Sequence, residues 1–224
     1  MKRVSHTGFF VALLVISAWF FLLAFLVSHP VKWADPLTYL LIFVQMHLYT
    51  GLFITAHDAM HGTVSPDKKL NDLTGYLSTM LYASFWYPKL YKQHHRHHDH
   101  VHTDDDPDYH NGGFFAWYFR FMLRYVSVWQ LIMQAIVFNV LQIWFPTENL
   151  LLFWVAPALL STLQLFYFGT WLPHHGEHEN KYQTRTLPKN HFTAFFTCYF
   201  FGYHYEHHDM PYVPWWKLWK VKKA

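Results

Sequence analysis

Four stretches of this chain are apolar for long enough to cross a lipid bilayer, and that limits what it can fold into. Phe9 to Val27 is apolar throughout except for Ser17, and Leu37 to Ala56 is interrupted only by a few polar side chains, chiefly Gln45 and His47. Ser127 to Phe145 and Leu150 to Leu172 contain no charged residue at all. About 20 apolar residues in a helix match a hydrocarbon core of about 30 Å, and the backbone of such a segment must satisfy its own hydrogen bonds. The sequence therefore predicts an all-α integral membrane protein with about four transmembrane helices, near 9–27, 37–56, 127–145 and 150–172. Lys2 and Arg3 precede the first run as they would in a signal peptide, but the run is long for one and no small-x-small site follows it, so a retained span is expected. Pro146 to Asn149 leave only a tight turn between the last two spans.

Leu73 to Tyr87 and Phe114 to Tyr125 are shorter and carry polar or charged residues, among them Arg120 and Arg124. Both read as interfacial helices. The whole of 1–224 reads as one membrane-embedded domain, without an internal repeat or linker.

Charged residues make up 14% of the 224 residues and the formal net charge is +3. Average globular proteins carry roughly 25% charged residues, so a soluble domain is disfavoured. The basic residues are scattered or terminal, which argues against nucleic-acid binding. One cysteine, Cys198, excludes a disulfide scaffold and reads as a small buried residue.

Lys2 and Arg3 precede the first span, and Lys68, Lys69, Lys89, Lys92 and Arg96 follow the second. Lys181, Arg185 and Lys189 follow the fourth, and Lys217, Lys220, Lys222 and Lys223 close the chain. The opposite loops hold only Lys32. The positive-inside rule then places both termini and both long polar regions in the cytosol. The terminal lysines are suited to anionic lipid headgroups.

The chain has 19 histidines, and most of the clustered ones fall on that same side. His57 and His61 are four residues apart at the end of the second span. His94-His95-Arg96-His97-His98 and His204-Tyr205-Glu206-His207-His208 each space three imidazoles at i, i+3 and i+4, which share one helix face. Eight clustered imidazoles are costly to bury without partners, and a metal site is the expected partner. Eight ligands exceed the needs of one ion, so two ions are expected. Imidazole suits Zn, Cu, Fe and Ni, so ligand type alone leaves the metal open. The HExxH pattern of zinc hydrolases is absent, although His175-Gly176-Glu177-His178 comes near it. A histidine-rich site reached from within the bilayer and able to hold two redox ions suits oxygen activation by iron.

These boxes, HX3H, HX2HH and HX2HH, resemble those of the membrane di-iron superfamily of fatty-acid desaturases, alkane hydroxylases and carotenoid oxygenases. The flanking residues look more specifically like bacterial β-carotene ketolases: HDAMHG at 57–62, HHRHH at 94–98, DPDYH at 106–110, WLPHH at 171–175, FFGYHYEHH at 200–208 and PWW at 214–216. The resemblance runs from about His57 to Trp216.

It implies that His57, His61, His94, His97, His98, His204, His207 and His208 ligate two iron ions. It also implies a further histidine between the second and third boxes. His174, just beyond the fourth span, is the expected one, with His175 and His178 as the other candidates and His178 placed one helical turn on. Asp58, Asp106, Asp108, Glu206 and Asp209, with His178, are the groups expected to orient ligands. His95, His100 and His102 stand outside the box positions. Trp86, Tyr87, Trp215 and Trp216 read as an interfacial aromatic belt.

The activity so implied is O2-dependent oxidation of the C4 methylene of β-ionone rings, in β-carotene or hydroxylated carotenoids, to a ketone by two successive hydroxylations. The substrate would come from the bilayer, and electrons from a donor such as ferredoxin. The expected location is a bacterial inner membrane with the metal site cytosolic. A fatty-acyl desaturase or hydroxylase with the same metal site, and a non-enzymatic metal carrier, are the alternative readings. Cysteines placed at Asp35 and at Asn149 are expected to react only with reagent outside the membrane and at Asp105 only from the cytosol; external reaction at Asp105 would reverse the orientation.

Overall fold

In the computed structural model, which describes residues 4–222, the chain is helical and has no strand among the described residues. Lys2, Arg3 and Lys223 lie outside the described residues. The central element is α2 (Pro36–Met60), flanked by α1 (Thr7–Ser28), α3 (Lys68–Ala83) and α7 (Thr147–His174). At 1.5 Å per residue these three longest helices run from ~33 to ~42 Å, enough to cross a bilayer. All three are long and apolar enough to be membrane spans. The chain is thus an integral membrane protein.

Local sequence sets where the helices start and stop. Asp35 caps α2 by accepting from the Leu37 N–H at 2.9 Å, with Pro36 at the first turn, where its missing N–H costs nothing. Asp67 caps α3 from the Lys69 N–H at 2.8 Å. Gly62, with φ at +67°, ends α2 in the left-handed region, where a side chain would be strained. The α2 helix therefore runs past Ala56 and carries His57 within its last turn, while His61 is its C-cap.

The segment 127–145 differs from a simple span. It forms α6 (Val128–Leu141), only 14 residues or ~21 Å long, after α5 (Phe114–Tyr125). The two meet at 83°, so together they make one broken or re-entrant segment, the fourth candidate span. Ser127 causes the break locally: its side chain caps α6 from the Gln130 N–H at 3.2 Å, which starts a new helix rather than continuing α5.

Polar side chains stitch the spans together where water is scarce. The Thr50 and Ser161 hydroxyls lie 2.9 Å apart between α2 and α7, and the Tyr82 hydroxyl of α3 meets Ser161 at 3.2 Å. Asn149 is buried and its amide donates to the carbonyls of Leu26, Val27 and His29 at the end of α1. It satisfies carbonyls that a helix end leaves free, which makes it a poor labelling position. The adjoining Glu148 is exposed and is the better reporter of that loop.

Two supposed belt residues are core instead. Tyr87 packs against Gly75 and is 4% exposed, and Trp215 is 9% exposed. Trp86 remains largely exposed. The basic tail is also partly engaged within the fold: Lys222 pairs with Glu206 at 3.1 Å, both side chains buried.

Candidate metal centre

The last turns of α2 and α7 end at one level, and two further helices complete the site there: α4 (Tyr87–Asp99) and the short α9 (His204–Asp209), which follows α8 (His191–Cys198). Nine imidazoles converge between them in two groups. His57, His61, His94, His98 and His207 form one group, and His97, His174, His204 and His208 form the other. Within each, the nearest ring nitrogens all lie within 4.8 Å of one another.

Each HxxHH box is therefore divided rather than pointing at one ion. His94 and His98, four apart on α4, enter the first group, and the intervening His97 enters the second. On α9 the pair His204 and His208 enters the second group and His207 the first. Without His174 the second group would hold only three imidazoles.

The donors suit metal ions. Nε2 atoms approach to 2.7 Å for His61 and His94, 3.1 Å for His98 and His207, 2.9 Å for His174 and His204, and 3.1 Å for His204 and His208. Ligands at ~2.1 Å from one ion would lie roughly 3 Å apart in the same way. Tautomers point the same way. The His97 Nδ1–H donates to Asp106 at 2.9 Å and the His174 Nδ1–H to the Gln183 carbonyl at 3.1 Å, which leaves each Nε2 a bare lone pair. His57 is buried and neither ring nitrogen has a hydrogen-bond partner. A cation is what such converging, unpaired lone pairs can hold, and the site fits a metal pair.

Burial lowers the pKa of His61 to about 3 and of His98 to about 2, with neighbouring imidazoles adding to the effect. His94, His204, His207 and His208 shift the same way for the same reasons. His97 is different: burial works against its charge, but Asp108 and Asp106 together lift its pKa. Burial would raise Asp106, yet His97 beside it holds that carboxyl below the usual range. Burial pushes Asp108 up to about 6, against the pull of His97.

The other sequence candidates fall in several places. Asp106 touches a ligand directly and also accepts from the His102 and Asp108 N–H groups at 2.9 and 2.8 Å. Asp108 stands 4.0 Å from His97 Nδ1 and accepts from the Tyr125 hydroxyl. Asp58 touches no imidazole; its carboxylate accepts from the Trp215 N–H at 3.2 Å and ties the C-terminal segment under α2. Glu206 is held by Lys222 and Thr186, and Asp209 accepts from the Tyr182 hydroxyl. His178 is not one turn from His174 on a helix, because α7 stops at His174 and His175 is already extended. It lies in neither imidazole group. His175 is exposed, and His102 donates to the His174 carbonyl at 3.1 Å.

An almost wholly apolar cavity reaches both groups. Phe53, Met60, Phe85, Leu90, Phe121, Tyr125 and Phe201 line it, together with His57 and His94 of the first group and His97 and His204 of the second. Met60 and Phe201 fall within the HDAMHG and FFGYHYEHH segments, while Phe53, Phe85, Leu90 and Phe121 are marked in the sequence only by their hydrophobicity. Tyr125 had a sequence signal only in its place at the end of an aromatic helix.

The fatty acid desaturase family model matches residues 32–139 and 125–224. The chain is 41% identical to a β-carotene ketolase of Paracoccus sp. (strain PC1), over 79% of this chain and 76% of that protein. The chain belongs to the fatty acid desaturase family. It is also 42% identical to a β-carotene 4-ketolase of Protosiphon botryoides, over 82% of this chain and 51% of the relative. A zeaxanthin 4-ketolase of Chlamydomonas reinhardtii is 42% identical over 79% of this chain and 42% of its own length. The matched region thus spans about half the length of these algal relatives. No solved structure matches.

The depressed histidines make metal-free stability depend on pH. A histidine whose folded pKa lies below its unfolded value of about 6.5 contributes fully above that value, and its contribution is lost as pH falls through 6.5 toward the folded pKa. Each imidazole kept neutral, such as His61 or His98, then costs about 1.4 kcal/mol per pH unit below 6.5. Metal-free protein in detergent is expected to melt at clearly lower temperature at pH 5.5 than at pH 7.5. Equal melting at both would contradict the neutral-cluster assignment.

Proposed function

We propose that the chain is an O2-dependent carotenoid ketolase that converts the C4 methylene of a β-ionone ring to a ketone. The carrying observation is the apolar cavity that ends on both imidazole groups. Its setting among membrane helices suits a long apolar substrate delivered from the bilayer, and the similar proteins named as β-carotene and zeaxanthin ketolases support the same chemistry.

In this reading His57, His61, His94, His98 and His207 hold one iron and His97, His174, His204 and His208 the other. The iron pair supplies activation of O2 when bound. The protein supplies position and dryness. Phe53, Phe85, Phe121 and Phe201 grip a ring by dispersion and keep water away from the bond to be oxidised. Asp106 and the Gln183 carbonyl hold His97 and His174 in the tautomers that leave Nε2 free. The C4–H bonds are allylic and weak, which favours that carbon. A second hydroxylation there gives a gem-diol, which loses water to form the ketone.

The orientation follows from the basic loops: termini and metal site cytosolic, in a bacterial inner membrane. A soluble electron donor such as ferredoxin meets that face, and Lys217 and Lys220, which lie over the Trp216 and Trp219 rings, suit anionic lipid headgroups there.

Expression in a β-carotene-producing host tests the reading, with ketocarotenoids and about two irons per chain as the expected result. One tightly bound zinc with no iron-dependent activity, or altered acyl lipids without ketocarotenoids, would overturn it. His174→Ala is expected to abolish ketone formation and lower iron content as His207→Ala does. His178→Ala should leave measurable activity, since losses outside the ligand set typically cost only about 10–100-fold. The reverse pattern would move the ninth ligand to His178.

A further inference from the structure

One carboxylate interrupts the apolar wall of the cavity. Asp108 lines it beside His97, and the two carboxylate oxygens have different surroundings. Oδ1 accepts from the Tyr125 hydroxyl. Oδ2 lies 4.0 Å from His97 Nδ1, too far for a hydrogen bond, and that N–H is already given to Asp106. No donor among the described residues reaches Oδ2.

The side chain is also fixed in place. The Asp108 N–H donates to Asp106 at 2.8 Å, and the indole N–H of buried Trp117 donates to the Asp108 carbonyl at 2.6 Å. Of the cavity's other hydroxyls, Tyr82 is engaged with Ser161 at 3.2 Å and Thr162 with Tyr118 at 2.8 Å, while Thr170, which can donate as well as accept, stands on α7. The Asp108 side chain keeps 12% exposure, so its free oxygen is open to a ligand that brings a donor.

We propose that Asp108 and Tyr125 form a hydroxyl-recognition site, in which the free Asp108 oxygen accepts a hydrogen bond from the 3-hydroxyl of a hydroxylated β-ionone ring. This rests on the ketolase reading. Carbon 3 adjoins the carbon to be oxidised, and Asp108 adjoins His97, which shares the cavity wall with the other imidazoles. A ring bound with C4 toward the imidazoles therefore brings its 3-hydroxyl to the Asp108 side. The unsubstituted ring of β-carotene leaves that oxygen without a donor. A site built to bond a hydroxyl discriminates against the analogue lacking it. The cavity thus favours zeaxanthin-type rings over unsubstituted ones, by roughly tenfold or more for a hydrogen bond to a charged acceptor.

The test compares iron-loaded wild type with the double variant Asp108→Leu/Tyr125→Phe, which replaces both polar groups by apolar ones, and with Tyr125→Phe alone, which keeps both carboxylate oxygens. Two quantities are read: the ratio of kcat/KM for zeaxanthin to that for β-carotene, and the ratio of their affinities for metal-free protein from tryptophan quenching. Both ratios are expected to fall roughly tenfold in the double variant and to be largely retained in Tyr125→Phe. A general packing defect lowers both substrates together and leaves the ratios where they were; unchanged ratios would overturn the inference. Wild type that binds zeaxanthin preferentially yet oxidises neither carotenoid would overturn the ketolase reading and keep this one.

Discussion

Nine imidazoles can share the floor of a helical bundle only if their lone pairs are taken up by something positive. Burial opposes charge on the imidazoles of α4 and α9, although Asp108 and Asp106 lift that of His97, and neutral imidazoles in contact have too few donors to satisfy one another. His57 carries that constraint furthest, being buried with neither ring nitrogen bonded. The rest of the architecture serves to bring the imidazoles to one level. The α2 and α7 helices end there, and α4 and α9 present i, i+4 pairs to one group while sending the i+3 histidine to the other. The two imidazole groups are thus cross-linked by the same two short helices, so neither group can form without the other's scaffold.

Acidic residues near the ligands act in two distinct ways. Asp106 fixes a ring directly, and through the His102 N–H it also fixes a loop whose histidine is held at φ +64° and donates to the His174 carbonyl. Asp58 and Glu206, equally close in sequence, hold backbone and lysine instead. Asp58 anchors Trp215 and Glu206 anchors Lys222, so each clamps the C-terminal segment against the body. That segment follows α9 directly, and the clamp keeps the His204, His207 and His208 rings over the end of α2. These acids position ligands through the fold rather than through a hydrogen bond.

What could be read in the sequence was whatever depends on one dimension. Charge-free apolar length marks α1, α2 and α7, and i, i+4 spacing marks the boxes, because both survive without knowledge of partners. The boundary at Ser127 was legible, because Arg120 and Arg124 set Phe114–Tyr125 apart, but that α6 stops at Leu141 and pairs with α5 in one bent segment was not. The division of each box between two groups depends on how α4 crosses α9, which no local pattern encodes. Tyr87 and Trp215 show the same limit: an aromatic residue near a membrane surface suits a belt or a core equally, and the neighbours decide. The cavity wall comes from α2, α3, α4, α5 and α7 and the approach to α9, so its residues gain meaning only together.

The two imidazole groups differ in their access to water, and the difference follows from where their helices end. Group two is buried at all four positions, with a polar cleft lined by His102, His175 and Glu177 reaching it at His174. Group one keeps His61, His94 and His98 only half-buried. His61 opens on a surface groove with His95, whose ring stacks on exposed Tyr91 at 4.2 Å. Because α2 stops at Gly62, the chain turns away there and leaves that side uncovered. The apolar cavity meets both groups, while the polar groove reaches the first at His61 and the polar cleft reaches the second at His174. Apolar and water-borne molecules can therefore approach the same pair of groups through different openings.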